Sequence, residues 1–172
     1  MESSLKIFLI LTSQFLLFIP ALSIAEHFTV AFVDDGDTII CENRDITIRV
    51  RLVGIDAPEI GKNKRYAGQP FSREAKLALE KLILKKVVDI KGYGLDDYNR
   101  LLAVVDSSGK DINLELVQQG LAEVYNGRSP NGLDLEPYRK AEKEAKGSLR
   151  GMWSLRDKYV SPGQWRRTHS GD

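Results

Sequence analysis

The segment from Val50 to Glu59 places one arginine and two carboxylates close together in the chain. It has the sequence V-R-L-V-G-I-D-A-P-E, in which Arg51 lies in an apolar run and Asp56 stands three residues before Glu59. Carboxylates held near each other raise one another's pKa unless a cation lies between them, so such a group is costly as a purely structural feature. The segment therefore predicts a binding site for a metal ion or a phosphate.

A second acidic stretch offers further oxygen ligands. Asp34-Asp35-Gly36-Asp37 lies between two strand-like segments. If the strand that follows Asp37 pairs with the next strand, which ends before Asp56, then Asp37 and Asp56 can lie at the same end of the sheet. Oxygen ligands without nearby His or Cys suit Ca²⁺ or Mg²⁺, whereas Zn²⁺ fits poorly. Taken alone, the stretch is an ordinary turn sequence. It is not an EF-hand loop, because no glutamate stands at the twelfth position counted from Asp34 or Asp35.

The predicted general base is a carboxylate, because histidine is nearly absent. His27 and His169 lie close to the two ends of the mature chain, which disfavours a histidine-ligated metal and a Ser-His-Asp triad. Glu59 is the carboxylate best placed to activate a water beside a bound cation. Arg51 and Arg100 flank strands that face the acidic residues, and a guanidinium can donate to two phosphate oxygens at once. Either arginine alone would be interpreted as a solvated surface charge.

The elements that would position these residues predict a small barrel. Strand-like segments separated by turn residues occur at 28–33, 38–41, 46–53, 87–91 and 101–105. Helical spacing of apolar residues occurs at 72–83, 112–119 and 135–145. This order favours an α+β, mainly β domain: a five-stranded antiparallel OB-fold barrel with three helices. Gly120 is predicted to end the second helix in the left-handed conformation.

Composition limits the compartment and the mode of binding. The formal net charge is +1, so phosphate binding must come from local placement of charge. Residues 7–25 are uncharged and largely apolar and end in Ser-Ile-Ala, the layout of a secretory signal peptide cleaved before Glu26; an uncleaved anchor is the alternative. Cys41 is the only cysteine, so an exported product has no internal disulfide, and this residue is interpreted as a small buried apolar side chain.

The predicted organisation is a signal peptide at 1–25, one domain at 26–155 and a C-terminal tail without periodicity at 156–172. The expected product is secreted or periplasmic and, by default, monomeric. We expect no stable membrane association after cleavage of the signal peptide.

Four motifs in register resemble the thermonuclease family typified by staphylococcal nuclease. They are D-G-D-T at 35–38, R-L-V-G-I-D-A-P-E at 51–59, D-D-Y-N-R at 96–100 and L-V-Q-Q-G-L-A at 116–122. The resemblance covers roughly residues 28–153, which is most of the mature chain. It implies an OB-fold barrel with three helices and a Ca²⁺-dependent phosphodiesterase that acts on DNA and RNA and leaves 3′-phosphate ends.

The resemblance also implies the residues of a metal site and the base. Asp37, Asp56 and the backbone carbonyl of Ala57 would be ligands of Ca²⁺. Asp35 would lie beside these ligands without binding the ion itself, and Glu59 would activate or position the attacking water.

The same resemblance implies how nucleic acid is held. Arg51 and Arg100 would hold the scissile phosphate and stabilise the charge that develops on it. Tyr98 would contact a neighbouring phosphate, and Leu102 and Tyr125 would contact nucleobases.

Two positions depart from the type member of the family, which has threonine in place of Ala57 and lysine in place of Asp97. Since the ligand at the first position is a backbone carbonyl, the metal site should survive. An acid at the second position, next to Tyr98, would weaken phosphate binding locally.

Two other functions remain open on the sequence. One is a barrel that binds nucleic acid or a protein without cutting. A degraded copy of this kind would be expected to have lost one of five residues, and this chain keeps them all: Asp37, Arg51, Asp56, Glu59 and Arg100. The other is a structural or cell-surface calcium module, which rests on the acidic turns and leaves Arg51 and Arg100 without a role.

Overall fold

A closed five-stranded barrel forms the centre of the described chain. The computed structural model describes residues 27–61 and 68–169. The barrel strands are β1 (His27–Val33), β2 (Thr38–Asn43), β3 (Ile46–Leu52), β5 (Val87–Leu95) and β6 (Leu101–Asp106). They close in the order β1-β2-β3-β6-β5, which confirms the predicted OB-like barrel. The predicted signal peptide at 1–25 and residues 62–67 lie outside the described residues.

The barrel closes through one parallel pair of strands. The other four pairings are antiparallel, whereas β3 and β6 run in the same direction, with Arg51 opposite Leu102. The expectation of an entirely antiparallel barrel is therefore wrong at this pairing. A parallel pair needs a long crossover connection, and the residues from 53 to 100 provide it.

Alternating apolar residues of the strands fill the barrel. A β-bulge in β1 shifts this alternation by one residue. In β1, Phe28 and Val30 face the core, and the register then shifts between Val30 and Phe32. Because of this shift, Val33 is fully buried while Phe32 remains half exposed. Cys41 is fully buried in β2, as expected for a small apolar side chain, and burial raises the pKa of its thiol to about 12.

Four α-helices and one 3-10 helix occur in the described part of the chain. They are α1 (Ser72–Ile83), α2 (Ile112–Gln118), α3 (Glu136–Gly147), the 3-10 helix Gly151–Lys158 and α4 (Pro162–His169). The three predicted helices are confirmed, and the stretch at 156–172, predicted as a tail without periodicity, contains α4. Helix α4 has eight residues and buries only Pro162, too little to produce a periodic apolar pattern. None of these helices is long and apolar enough to cross a membrane.

The second helix is fixed to the end of the barrel by a buried side chain and by its own cap. Asn113 Nδ2 donates to the carbonyls of Val53 and Ala103 at 2.9 and 3.0 Å. Gly120 has φ +69° and ends the helix as predicted, since the amide of Leu121 donates back to the carbonyl of Leu116 at 2.9 Å.

A two-stranded ladder lies beside the barrel opening. It pairs β4 (Ile55–Asp56) with β7 (Glu123–Val124), so that Asp56 stands opposite Glu123. This ladder holds the segment after β3 in place, and with it the acidic residues that follow Gly54.

Candidate active site

A cleft of about 630 Å³ opens where β3 ends and β6 begins. Eight of the predicted site residues line it: Asp35, Asp37, Arg51, Glu59, Tyr98, Arg100, Leu102 and Tyr125. Asp56 lines an adjoining cleft that shares Tyr125 and Arg166 with the first. Ala57 is buried next to Asp56. The predicted residues are therefore gathered at one end of the barrel.

Arg51 joins the two carboxylates that the sequence predicts to lie together. Its Nη2 donates to Asp56 Oδ1 at 2.9 Å, and its Nη1 pairs with Asp37 Oδ1. The antiparallel β2–β3 pairing sets this arrangement, because it places Thr38 opposite Arg51. The guanidinium side chain is only 12% exposed, and this burial lowers the pKa of Arg51, while the charges of Asp56 and Asp35 oppose that shift. The expectation that the two aspartates share one sheet end is confirmed.

The acidic turn is held in shape by its own hydrogen bonds. Asp35 Oδ1 accepts from the amide of Asp37 at 3.0 Å, and Asp37 Oδ2 accepts from the amide of Ala57 at 2.8 Å. At Gly36 the packing leaves no room for a side chain, since a Cβ there would lie 2.7 Å from Ala57 Cβ and 2.8 Å from Ala75 Cβ. The turn thus rests directly on α1 and the segment after β4, which fixes the direction of Asp37.

Arg100 is oriented by a local ion pair. Its Nε donates to Asp96 Oδ2 at 2.7 Å, and the amides of Arg100 and Tyr98 both donate to Asp96 Oδ1 at 2.9 Å. Burial would raise the pKa of Asp96, but these hydrogen bonds outweigh it and lower the pKa below its ordinary value. The Tyr98 ring lies 5.5 Å from the guanidinium and is 81% exposed, and Asp97 beside it is also exposed. Tyr98 is therefore available to a ligand.

Two less polar residues form part of the cleft wall. Leu102 stands opposite Arg51 in the parallel β3–β6 pair and is partly buried. Tyr125 follows β7, where its amide donates to the carbonyl of Gly54 at 2.9 Å, and its side chain is partly exposed. These positions give the cleft apolar and aromatic surface beside its arginines.

Arg166, on α4, contacts two of the predicted carboxylates but is absent from the predicted set. Its Nη1 donates to Asp56 Oδ1 at 2.9 Å and to Glu59 Oε1 at 2.5 Å, and its Nη2 donates to Asp56 Oδ2 at 2.8 Å. The hydrogen bonds to Asp56 are the main reason that the pKa of Arg166 is raised. Ser161 followed by Pro162, a capping residue and then proline at the first helical position, is the sequence signal that could have indicated this helix.

The donor chemistry of the site fits a hard cation. Asp37 and Asp56 supply buried carboxylates, and a positively charged nitrogen of Arg166 already lies between Asp56 and Glu59. Among residues 27–61 and 68–169, no group of three or more His, Cys, Asp or Glu side chains is arranged around a metal position. Since Ca²⁺ takes six to eight oxygen ligands, backbone carbonyl and water oxygens would complete its coordination here.

Known proteins share this sequence pattern. The family model described as staphylococcal nuclease homologue matches residues 49–155. Two proteins named probable endonuclease LCL3, from Scheffersomyces stipitis and Candida dubliniensis, are each 37% identical over 132 residues, which is 73% of this chain and 56% of each relative. The protein of the same name from Zygosaccharomyces rouxii is 39% identical over 127 residues, 70% of this chain and 45% of the relative. The chain thus spans about half the length of these curated relatives.

The family match begins within β3 and extends past α3, and it includes every predicted site residue except Asp35 and Asp37. Since it extends over more than half of the chain, this chain belongs to the staphylococcal nuclease homologue family.

Proposed function

We propose that the protein is a Ca²⁺-dependent nuclease that hydrolyses phosphodiester bonds of DNA and RNA and leaves 3′-phosphate ends. The observation that carries this proposal is that two oriented arginines, Arg51 and Arg100, line one cleft together with Glu59 and Asp37. A calcium module would have no use for these arginines. Family membership and the printed name of the relatives support the same activity.

Phosphate binding would depend on placement of charge, since the chain as a whole is nearly neutral. Arg51 is held by two buried carboxylates and Arg100 by Asp96, so neither guanidinium needs to be ordered when the substrate binds. Each can donate to non-bridging phosphate oxygens. Tyr98 would contact an adjacent phosphate, and Leu102 with Tyr125 would contact bases.

The metal would be held by Asp37, Asp56 and the carbonyl of Ala57, and Asp35 would keep the turn that carries Asp37 in place. When bound, Ca²⁺ would add positive charge at the phosphate and lower the pKa of a neighbouring water. The acidic and basic groups would then have separate roles, with carboxylates for the ion and arginines for the phosphate.

Glu59 would accept a proton from the attacking water. The water oxygen forms a bond to phosphorus, the bond from phosphorus to O5′ breaks, and O5′ takes the electron pair and a solvent proton. The products are a 3′-phosphate and a 5′-hydroxyl. Arg51 and Arg100 would donate hydrogen bonds to the oxygens on which negative charge increases in the transition state.

Cleavage of supercoiled plasmid by the chain from residue 26 onwards tests the activity. We expect nicking and linearisation with Ca²⁺, none with EGTA, and the same dependence on an RNA substrate. The DNA products should resist extension by a polymerase until a phosphatase removes the 3′-phosphate. Intact plasmid together with a gel shift would instead identify a nucleic-acid-binding module.

We also propose that the protein is exported and acts as a monomer. The apolar stretch at 7–25 supports export, and Edman sequencing of the protein from periplasm or medium should begin at Glu26. A mature protein that retains Met1 would contradict cleavage. Size-exclusion chromatography with light scattering tests the monomer.

A further inference from the structure

The C-terminal segment, residues 159–169, contacts the rest of the protein close to Asp56, a candidate metal ligand. The hydroxyl of Tyr159 donates to Glu123, the residue opposite Asp56 in the β4–β7 ladder. The Tyr159 ring also contacts the Trp153 ring, with a centroid distance of 4.6 Å. Burial is the largest cause of a raised pKa at Glu123. These contacts place the start of the segment beside the acidic end of the site.

A second attachment links the same segment to the backbone of Glu59. Gln69 is buried; its Nε2 donates to the carbonyl of Val160 at 2.7 Å, and its Oε1 accepts from the amide of Glu59 at 3.1 Å. One side chain thus holds the backbone of the candidate base and that of Val160, two residues before α4. The position of α4 over the site therefore has two independent supports.

Arg166 occupies both carboxylate oxygens of Asp56, a proposed metal ligand, and one oxygen of Glu59, the proposed base. Both oxygens of Asp56 accept hydrogen bonds from its guanidinium, and so does Oε1 of Glu59. Asp56 is only 2% exposed, so little of it remains open to solvent, whereas the Arg166 side chain is 40% exposed. With Arg166 on both oxygens of Asp56, a divalent cation would have to share each of them with a guanidinium, and the two positive charges would repel each other at such short range.

We propose that Arg166 competes with the divalent cation for Asp56 while it also holds Glu59, and that α4 is an internal blocker which the cation displaces. This inference rests on the proposed function, because it takes Asp56 as a metal ligand. Arg51 does not compete in the same way, because it contacts only Oδ1 of Asp56 and Oδ1 of Asp37 and leaves the second oxygen of each carboxylate to other partners.

Helix α4 itself is suited to release because the two anchors lie in the segment before it, and little holds the helix apart from this ion pair. It buries only Pro162, and its remaining residues are exposed or partly exposed. An element with so little buried surface opens at low free-energy cost. The family match ends at residue 155, before α4 begins, so the blocker lies outside the part of the chain that the match covers.

The first test measures Ca²⁺ binding without any nucleic acid. Isothermal titration of the EGTA-treated, desalted chain with CaCl₂ would compare the wild type, Arg166→Gln and Arg167→Gln. If α4 is released from Asp56 in about one molecule in ten, Arg166→Gln should lower the apparent Kd for Ca²⁺ about tenfold. Arg167 is the matched control, an exposed arginine on the same helix, and its variant should keep the wild-type Kd.

A second readout follows α4 itself. Trp165 is partly buried and stacks on His169 at a centroid distance of 3.8 Å, so its fluorescence should change when CaCl₂ releases the helix. The change should disappear in Trp165→Phe, which leaves Trp153 as the other tryptophan of the chain.

The possible results separate this inference from the proposed function. Tighter Ca²⁺ binding in Arg166→Gln and a Trp165-dependent fluorescence change support competition. Equal or weaker binding in Arg166→Gln, with Ca²⁺ still bound and DNA still cut, overturns the blocker and leaves the nuclease intact. Loss of Ca²⁺ binding in the wild type and the variant alike overturns the metal assignment, and the inference with it.

Discussion

Asp96 holds Arg100 at two points, because Oδ1 accepts from the backbone amide of Arg100 at 2.9 Å and Oδ2 from its Nε at 2.7 Å. The carboxylate therefore shapes the turn before β6 and aims the guanidinium at the cleft. Both effects require a negative charge at Asp96, which leads to a pH-dependent prediction.

Asp96→Asn should lower stability more at pH 6 than at pH 3. The pKa of Asp96 is lowered in the folded protein, so its charge stabilises the fold above its ordinary pKa of 3.8, and this contribution is lost as pH falls through the folded value. Urea unfolding at both pH values measures the difference between wild type and variant. The exposed neighbour Asp97, as Asp97→Asn, is the matched control. The prediction is wrong if the difference in free energy of unfolding between wild type and Asp96→Asn is as large at pH 3 as at pH 6.

Glu59→Gln should reduce kcat by about a hundredfold or more, because the amide keeps the shape of the side chain but cannot accept the proton of water. The measurement is steady-state hydrolysis of DNA at saturating Ca²⁺. Ca²⁺ affinity, measured by titration, serves as the control for a correctly formed site. A kcat within a few-fold of the wild type would exclude Glu59 as the base.

Arg51→Lys should impair both stability and catalysis. One ammonium cannot reproduce the fork that joins Asp37 and Asp56, and a buried carboxylate left without its hydrogen bond costs about 1–3 kcal/mol. We also expect kcat to fall by about 10² to 10³. Arg49→Lys is the matched control on the same strand, because Arg49 forms an exposed pair with Asp34. It should change the free energy of unfolding by less than about 0.5 kcal/mol.

Gly120→Ala should destabilise the fold strongly, whereas Gly109→Ala should cost about 1 kcal/mol. Both glycines have positive φ, +69° and +79°, so both variants bear the strain of a left-handed residue. At position 120 a Cβ would also lie 2.3 Å from the carbonyl oxygen of Arg150, whereas nothing lies within 4 Å at position 109. Thermal unfolding compares the two, and equal losses would contradict the clash.

Cys41 should resist thiol reagents in the native protein. Its thiol is fully buried and its pKa is raised to about 12, so the reactive thiolate is scarce at pH 8 and out of reach. Reaction with a chromogenic disulfide should be slow without denaturant and stoichiometric in guanidinium. Rapid labelling under native conditions would show that β2 opens readily.

The sequence predicts the barrel and most of the cleft because local patterns carry the required information. Alternating apolar residues mark the strands, and acidic turn residues at Asp37 and Asp56 fall at adjacent strand ends. The β2–β3 pairing then brings both to Arg51. The parallel β3–β6 pairing is different, since strand direction in a sheet is set by non-local topology that no short motif records.

Arg166 shows why part of the site escapes prediction. It reaches Asp56 from the far end of the chain, through a short helix that buries a single residue and therefore leaves no apolar repeat in the sequence. The anchors that place the helix are isolated polar contacts, such as Gln69 to the carbonyl of Val160. Contacts of this kind depend on tertiary packing and cannot be inferred from spacing.

The parallel strand pair has a consequence for how activity would emerge during folding. Arg51 lies in β3 and Arg100 directly precedes β6, so their spacing is set only when these two strands align. This alignment joins distant parts of the chain, and contacts of high sequence separation form slowly. During refolding, enzymatic activity should therefore recover more slowly than the helical circular dichroism signal. A fragment that ends before β6 would carry both acidic ligands, Asp37 and Asp56, but would lack phosphodiesterase activity.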